Sequence, residues 1–404
     1  MSSNSLNEYR LEDVTINFNS SRIPLSQKQR AVKKGEYPYY GAQGIIDYID
    51  EFIFDGEYLL IAEDGANLTT RYEDIARLTK KEEKFWVNNH AHILRNNHLS
   101  DIRYLKLLLN QMDISAYITG SAQPKLNKAN LNSIKIKLPD IDEQHAISNI
   151  LSTLDEKIET NNQINKKLEE MAQAIFKHWF IDFEFPNENG EPYKSSGGEM
   201  VESELGLIPR GWQVLALEDV AKINPTEKLK KGQNSIYVEM ANLPTHSARI
   251  VNYTQKEYKG GTKFRNGDIL FARITPCLEN GKTGIVDFLQ ENEIAFGSTE
   301  YIILRPKVLN SYYLYFLARY EEFRSNAIKN MNGTSGRQRV DALFIKQYKI
   351  VCPTLETLQD FSVICKPIFQ KMKYNDEVSK VLASTRDTLL PKLMSGEIRV
   401  PLEN

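Results

Sequence analysis

The chain has little of what several specialised protein classes need. Its three cysteines, Cys277, Cys352 and Cys365, are widely spaced, and no CxxC pair occurs. This argues against a disulfide scaffold or a zinc site and suits a reducing cytoplasm. No apolar run approaches the ~18 residues of a membrane span, and the first ten residues lack the apolar stretch of an export signal. We therefore expect a cytoplasmic protein without a membrane partner.

An excess of charge is also absent. Lysine and arginine number 51 and the acids 53, which gives a net charge of −2. A protein that coats nucleic acid is normally basic, so any DNA binding must come from local basic patches. The 404 residues and the hydrophobic content of 41% indicate a globular protein of two to three domains.

What the chain does contain is one long internal repeat. Leu11-Glu12-Asp13-Val14 recurs unchanged as Leu217-Glu218-Asp219-Val220, and Gly56-Glu57-Tyr58-Leu59-Leu60 returns as Gly267-Asp268-Ile269-Leu270-Phe271. The offset grows slightly along the chain, as expected if loops changed length while the elements were kept. A repeat this long exceeds the roughly 20–50 residues of a solenoid unit. It predicts a duplicated domain whose two diverged copies recognise two different things.

A helical pattern follows each copy. Residues with alternating steps of four and three form a coiled-coil seam. The first seam comprises Ile147, Leu151, Leu154, Ile158, Asn161, Asn165, Leu168, Ala172, Ile175 and Trp179. The second comprises Phe361, Cys365, Ile368, Met372, Asn375, Ser379, Leu382, Arg386, Leu389 and Leu393. Matching seams favour pairing of the two helices with each other; the alternative is that each helix is buried on its own domain.

No set of catalytic residues stands out. Gly281-Lys282-Thr283 is similar to the end of a phosphate loop, but Pro276 occupies the position of the required first glycine. No GxGxxG motif opens a helix, which argues against a dinucleotide or S-adenosylmethionine pocket. His90 and His92 would need further ligands to hold a metal. We predict neither catalysis nor a metal site; a nucleotide-dependent enzyme using residues 281–283 is the enzymatic alternative.

Two basic loops occupy equivalent positions in the repeat. Residues 115–139 contain four lysines and no acid, and residues 323–340 contain three arginines, one lysine and no acid. Glycines and small hydroxyl side chains in both loops allow a close approach of the backbone to a ligand. Glutamine can read adenine, and arginine can read guanine or bind phosphate. Ordinary solvated loops are the alternative, but the recurrence at equivalent positions favours two DNA-contacting loops.

Taken together, these segments resemble the specificity (S) subunit of a type I restriction-modification system. The similarity is carried in the second copy by residues 267–282 and by Gly333-Thr334-Ser335-Gly336-Arg337-Gln338-Arg339-Val340. In the first copy it is carried by residues 37–44 and 138–144, and at the end of the chain by residues 393–398. The first copy departs from the second in having Ala62-Glu63-Asp64-Gly65-Ala66-Asn67 where the second has the Arg-Ile-Thr-Pro-Cys run.

The resemblance implies an α+β fold with two similar α/β target-recognition domains, each followed by a long helix. The two helices would pack as an antiparallel coiled coil with pseudo-twofold symmetry. The predicted boundaries are residues 1–139 for the first domain, 140–183 for its helix, 184–206 for an exposed linker, 207–353 for the second domain and 354–396 for its helix. In such a pair, Asn161 and Asn375 near the helix midpoints should face each other and fix the register.

The resemblance also implies partners and a function. The chain itself would be non-catalytic and without cofactors. It would bind double-stranded DNA together with two modification subunits, which carry S-adenosylmethionine and methylate adenine. Restriction subunits that use ATP and Mg²⁺ would join them. A stand-alone duplicated DNA-binding regulator is the alternative. We predict that DNA is contacted by Ser121, Gln123 and Lys125 in the first domain, and by Arg273, Thr275, Lys282, Thr334, Ser335, Arg337 and Arg339 in the second.

Overall fold

The computed structural model describes residues 6–120, 122–334 and 336–401. The chain divides into two compact units, one formed by the residues up to Ile158 together with those from Lys380 onward, the other by Glu159–Ser379. This division falls inside both long helices, so each unit holds one domain and a part of each helix. Among the described residues, no helix is both long and apolar enough to cross a membrane.

The first unit contains two four-stranded sheets. The antiparallel sheet has the order Thr15–Asn17, Ala91–Asn96, Leu59–Ala62 and Ala76–Leu78. The second sheet has the order Gly44–Ile49, Lys34–Gly41, Lys84–Val87 and Phe54–Asp55, and its two middle strands are parallel. A separate strand pair joins Asn7–Arg10 to Lys135–Leu138. The α-helices of this domain are Leu11–Val14, Gln27–Val32, Asn67–Thr70, Ile102–Gln111 and Lys128–Asn132.

The second unit repeats this arrangement. One sheet has the order Ala221–Ile223, Tyr301–Pro306, Ile269–Ala272 and Thr283–Ile285. The other has the order Thr254–Glu257, Asn234–Val238, Ala295–Gly297 and Thr262–Phe264, again with a parallel middle pair. Gln213–Ala216 pairs with Lys349–Cys352, and Met331–Asn332 with Arg339–Val340. The α-helices of this domain are Leu217–Val220, Ser311–Arg319, Glu321–Lys329 and Ala342–Gln347.

The same local chemistry starts the domain helix in both copies. Asp101 caps the helix Ile102–Gln111 by accepting a hydrogen bond from the backbone N–H of Tyr104. Asn310 does the same for Ser311–Arg319 through Tyr313. A short polar side chain at this position satisfies a backbone donor that the helix itself leaves unpaired. Both copies therefore keep a capping side chain at the helix N-terminus, although it is aspartate in the first and asparagine in the second.

Two long helices follow the domains, at Ile141–Phe176 and Leu355–Met394, and the first continues as a π-helical turn over Lys177–Ile181. Every predicted seam position is buried or half-buried. In the first unit Asp155 pairs with Arg386, and Ile147 and Leu151 share a core with Leu390 and Leu393.

In the second unit the pairing runs in the same antiparallel sense. Asn161 bonds to Ser379, and Asn165 bonds to Asp376 and to the backbone of Met372. Residue numbers thus rise along the first helix while those of the contacting residues fall along the second, so the two helices are antiparallel. The predicted fold class, with two similar domains each followed by a long helix and with antiparallel helices, is confirmed.

The segment predicted as an exposed linker, residues 184–206, is structured. Phe185 is buried and stacks on Trp212 and on Tyr193, with ring centroids 4.9 and 4.6 Å apart. Met200–Ser203 and Gly206–Pro209 form an antiparallel hairpin. Most of its residues are exposed, as its six acids suggested, but Phe185 and Tyr193 supply apolar surface that packs the segment on Trp212 of the second domain.

Candidate nucleic-acid interface

The central parts of both predicted loops are the tips of short hairpins at equivalent places, whereas Lys128–Asn132 and Glu321–Lys329 are helical and Lys135–Leu138 is a strand. In the first domain Thr119 and Lys125 exchange backbone hydrogen bonds of 2.8 and 2.7 Å, and Gly120 turns the chain with φ +84°. In the second domain Asn332 pairs with Arg339, and Gly333 turns the chain with φ +127°. Glycine fits these positions because it lacks the Cβ that disfavours positive φ.

The first hairpin is fastened to the end of a central sheet strand by three backbone contacts. Glu63 N–H donates to His90 O at 2.9 Å, Leu126 N–H to Glu63 O at 2.8 Å, and Gly65 N–H to Pro124 O at 3.1 Å. Since these bonds use only main-chain atoms, they fix where the hairpin lies and leave the side chains free to vary.

The second hairpin is fastened by the same three contacts in the same order. Arg273 N–H donates to Glu300 O at 3.0 Å, Val340 N–H to Arg273 O at 2.9 Å, and Thr275 N–H to Gln338 O at 3.0 Å. The two segments that differ most in sequence, 62–67 and 272–277, therefore share one backbone arrangement. We call it the shared hairpin frame: residues 63–65, 90 and 124–126 in the first domain, and 273–275, 300 and 338–340 in the second.

The side chains on the second frame are rich in arginine. Arg339 forms a bidentate ion pair with Glu300, at 2.9 Å from Nε and 2.7 Å from Nη2, and also donates to Arg337 O at 3.0 Å. Arg337 and Thr334 are exposed at the hairpin tip. Arg273 is half-buried, and its Nε has no hydrogen-bond partner among the described residues. Ser335 lies outside the described residues.

Two of the other predicted contacts have roles within the protein. Thr275 Oγ1 accepts a hydrogen bond from Gln338 N–H at 3.0 Å, which stabilises the frame. Lys282 Nζ donates to the carbonyls of Met240 and Ala241 at 2.7 and 3.0 Å. These bonds anchor the Lys282 ammonium to a neighbouring turn, so a DNA contact by this side chain would compete with them.

Two arginines hold the segment before Lys282: Arg324, which the sequence analysis counted in the second basic loop, and Arg319, which it missed. Arg319 donates to the carbonyl of Gly281 at 2.9 Å, and Arg324 to that of Glu279 at 2.8 Å. Burial lowers the pKa of the Arg324 guanidinium, with the nearby Arg319 charge acting in the same direction. The Arg324 Nε is also buried without a partner among the described residues. Both arginines lie on helices, so Arg324 is not part of a loop as predicted.

The first frame carries acids where the second carries arginine. Glu63 lies 2.9 Å from Arg22 and 3.6 Å from Lys125, and Asp64 lies 2.6 Å from His90 Nδ1. Lys125 and the predicted contact Gln123 are exposed. Ser121 lies outside the described residues. The basic hairpin therefore lies against an acidic strand end, which the acid-free loop sequence did not predict.

His92 has a structural environment. It is fully buried, and its Nε2 and Nδ1 lie 2.7 Å from the Leu126 carbonyl and from the Asn19 amide nitrogen. Burial lowers the pKa of this imidazole. Across the described part of the chain, no group of three or more His, Cys, Asp or Glu side chains is arranged to hold a metal.

The two asparagines predicted to set the helix register lie close together in the second unit. Both are buried; Asn161 Nδ2 lies 3.5 Å from the backbone oxygen of Asn375, and Asn375 Nδ2 donates to Asn165 Oδ1 at 2.8 Å. A polar group in a buried seam costs stability unless it is paired, and pairing favours one alignment. Their role in specifying register stays a prediction.

Comparison with known proteins identifies the family. The model of the type I restriction-modification DNA specificity domain matches the chain twice, over residues 5–170 and 209–377. The specificity subunit of the type I restriction enzyme MjaIX from Methanocaldococcus jannaschii is 29% identical over 317 residues, which cover 74% of this chain and 69% of that protein. The HindI specificity subunit from Haemophilus influenzae is 24% identical over 432 residues, covering 92% and 88%.

A solved structure shares the fold. The crystal structure of the type I restriction-modification S subunit from M. genitalium superimposes with a TM-score of 0.62 over 97% of each chain, at 14% identity. Two matches to one domain model agree with the duplication in sequence and with the repeated sheets. The chain belongs to the specificity subunits of type I restriction-modification systems, which are non-catalytic subunits concerned with DNA recognition.

Proposed function

We propose that each domain reads one half of a bipartite, asymmetric DNA target, and that the paired helices set the unread gap between the halves. The observation that carries this proposal is the shared hairpin frame. It repeats one set of backbone bonds under different side chains, Glu63 and His90 against Arg273 and Glu300. Two domains that recognise different half-sites need one backbone arrangement with different side chains. Base contacts by the side chains specify the sequence, while the main chain only positions these side chains.

The proposed DNA contacts are the exposed side chains at the two hairpin tips. They comprise Gln123 and Lys125 in the first domain and Thr334 and Arg337 in the second. Arg339 is half-buried beside them. Ser121, Ser335, Arg273, Thr275 and Lys282 remain candidates. The acidic Glu63 beside Lys125 limits non-specific attraction to phosphate, so the first hairpin depends more on base contacts than on net charge.

On this proposal the chain brings enzymes to the target. Two modification subunits would bind it and supply S-adenosylmethionine for adenine methylation. Restriction subunits using ATP and Mg²⁺ would join the same complex, in the cytoplasm where the DNA lies. Membership of the specificity-subunit family favours this arrangement over a stand-alone regulator, which would have no enzymatic partners.

The experiment is to sequence methylated bases genome-wide in cells with and without this gene. A two-part motif with a fixed gap, methylated only when the gene is present, is expected. A continuous motif, or no dependence on the gene, would contradict bipartite reading. Absence of all methylation despite a sequence-specific chain would favour the regulator.

A second experiment tests the helices as a spacer. Four residues are inserted after Ile158 in the first helix and four after Ser379 in the second, so that the antiparallel partners lengthen together. The helices would gain about 6 Å at ~1.5 Å per residue. That corresponds to one to two base pairs at ~3.4 Å each. The half-sites should stay the same while the gap lengthens; new half-sites with an unchanged gap would contradict the proposal.

A further inference from the structure

The second hairpin holds one arginine in an unusually defined orientation. The Arg339 guanidinium is bound along one edge by the Glu300 carboxylate, with Nε at 2.9 and 3.0 Å from the two oxygens and Nη2 at 2.7 Å from one of them. Its Nη1 donates to the backbone oxygen of Arg337 at 3.0 Å. Two planar groups joined by two parallel bonds fix each other's plane as well as their separation.

Counting donors shows what this arrangement leaves available. A guanidinium carries five N–H groups, one on Nε and two on each terminal nitrogen. Glu300 engages the Nε hydrogen and one on Nη2, and Arg337 O engages one on Nη1. One N–H remains on each terminal nitrogen. If the Arg337 carbonyl takes the Nη1 hydrogen that faces away from Nη2, the two remaining donors lie side by side and match two neighbouring acceptors, such as O6 and N7 of guanine in the major groove.

The backbone makes Glu300 part of the same frame as its partner. Glu300 O accepts a hydrogen bond from Arg273 N–H, and Arg273 O accepts from Val340 N–H, next to Arg339. Glu300 itself precedes the central strand Tyr301–Pro306, and its side chain is only 24% exposed. The backbone of Glu300 is therefore fixed by the sheet, and its partly buried side chain can hold Arg339 at the base of the hairpin.

We propose that Glu300 is a specificity-determining positioning residue that orients Arg339 to read a guanine in the half-site of the second domain. This rests on the proposed function, since it assumes that the second hairpin contacts DNA bases. A rigid carboxylate reduces the conformational entropy that a long side chain loses on binding, and it excludes alternative poses on other bases. A free arginine would bind phosphate as readily as guanine.

The frame in the first domain supports the assignment by contrast. His90, at the position of Glu300, has its Nδ1 2.6 Å from Asp64, and Lys125, at the position of Arg339, lies 3.6 Å from Glu63. Lysine presents a point charge without the planar fork of arginine. The two domains thus place different acid–base pairs on one backbone, as different base preferences require.

The test is Glu300→Gln in the full-length chain together with its modification subunits. Methylation is measured at the cognate site and at every single-base variant of both half-sites. Glutamine keeps the size of the side chain but removes its charge and one of the two acceptors facing Arg339. We expect discrimination at one guanine of the second half-site to fall about tenfold, as for loss of a bidentate base contact. Preferences in the first half-site should not change.

Two further variants separate orientation from charge and from folding. Glu291→Gln removes an equally negative, exposed side chain of the same domain and should leave discrimination intact. Arg339→Lys keeps the positive charge but loses the fork, and should relax the same base. In the Arg339→Ala background, Glu300→Gln should have no additional effect on specificity, because its only proposed route to DNA is gone.

Several results would overturn the inference. If Glu300→Gln changes affinity for all sequences alike, or only lowers thermal stability, Glu300 does not determine specificity. If Arg339→Ala reduces the salt dependence without changing base preference, Arg339 contacts phosphate. Failure of the proposed function looks different: the unaltered chain would then show no half-site preference in the second domain at all.

Discussion

The two hairpin frames have the same backbone and nearly opposite chemistry. Glu63 corresponds in position to Arg273, and His90 to Glu300. A positively charged side chain is kept at the equivalent position of both hairpins, as Lys125 and Arg339. The comparison teaches that in a duplicated recognition domain the main-chain bonds preserve position, and the side chains they carry are free to diverge in specificity.

The attachment of each domain to its helices differs as well. In the second unit Arg249 is buried between Asp287, at 2.7 Å, and Asp376 on the second long helix. In the first unit the buried Gln144 performs the comparable task with neutral bonds to Leu99 O and Pro139 O, at 3.1 and 2.9 Å. At these two sites the contact is thus made by charges in the second unit and by an amide in the first.

Of the variants considered, Arg249→Ala should lower the free energy of unfolding most. It leaves two carboxylates in a partly buried site without their cation, which costs about 3–5 kcal/mol. Gln144→Ala leaves buried neutral carbonyls unpaired, at about 1–3 kcal/mol. Urea unfolding followed by hydrogen exchange in each unit measures both. Arg210→Ala, at an exposed pair with Glu199, is the control and should have little effect on stability, because water screens this pair. Equal costs for Arg249 and Gln144 would remove the contrast.

Gly120→Ala tests whether hairpin shape is needed in the first domain. A Cβ at this residue would lie 2.4 Å from the backbone oxygen of Gln123, and φ is +84°. Left-handed backbone alone costs about 1–2 kcal/mol for an L side chain, and the overlap adds to it. Gly336→Ala is the matched control, since φ is +77° but its Cβ meets no described atom within 4 Å. Discrimination in the first half-site should fall more with Gly120→Ala than discrimination in the second half-site falls with Gly336→Ala; equal losses would show that strain alone matters.

Arg337→Ala tests whether the exposed Arg337 contacts phosphate, in contrast to Arg339, whose orientation is fixed by Glu300. The Arg337 side chain is exposed at the hairpin tip, whereas Arg339 is paired with Glu300. If Arg337 contacts a phosphate, its loss should lower the slope of log affinity against log salt by about 0.9, without changing base preference. Binding to cognate and mismatched duplexes over a salt series measures both. Unchanged affinity at low salt would exclude Arg337 from the DNA-facing surface.

Glu169→Gln should change the pH dependence of stability, besides removing one of the two oxygens that accept from Tyr315 and Ala248. Burial raises the pKa of this carboxyl, against hydrogen bonds from the Tyr315 hydroxyl and Ala248 N–H that lower it. A carboxyl whose pKa is raised by folding stabilises the folded protein fully below its ordinary pKa of about 4.3. This stabilisation is lost as pH rises through the pKa of the carboxyl in the folded protein. The variant should flatten the stability curve above about pH 4.3. An unchanged curve would show that Glu169 titrates normally.

Much of the architecture follows from the sequence because its signals are local. The repeated Leu-Glu-Asp-Val segments form matching short helices, and the seam spacing correctly gave the buried face of both long helices. Glycine at 120 and 333 marked the two turns. Periodicity, turn preference and internal similarity are properties of neighbouring residues, so they are readable without coordinates.

Tertiary structure alone decided which charges meet. Glu300 and Arg339 are 39 residues apart, and Arg249 and Asp376 are 127 apart. The acid-free loops therefore lie beside acids that their own sequence does not contain, and Lys282 is occupied by backbone carbonyls. The residues flanking the predicted linker likewise gave no sign that its aromatic rings pack on Trp212. Such pairings depend on how sheets bring distant segments together, since electrostatic and packing energies depend on separation in space rather than along the chain.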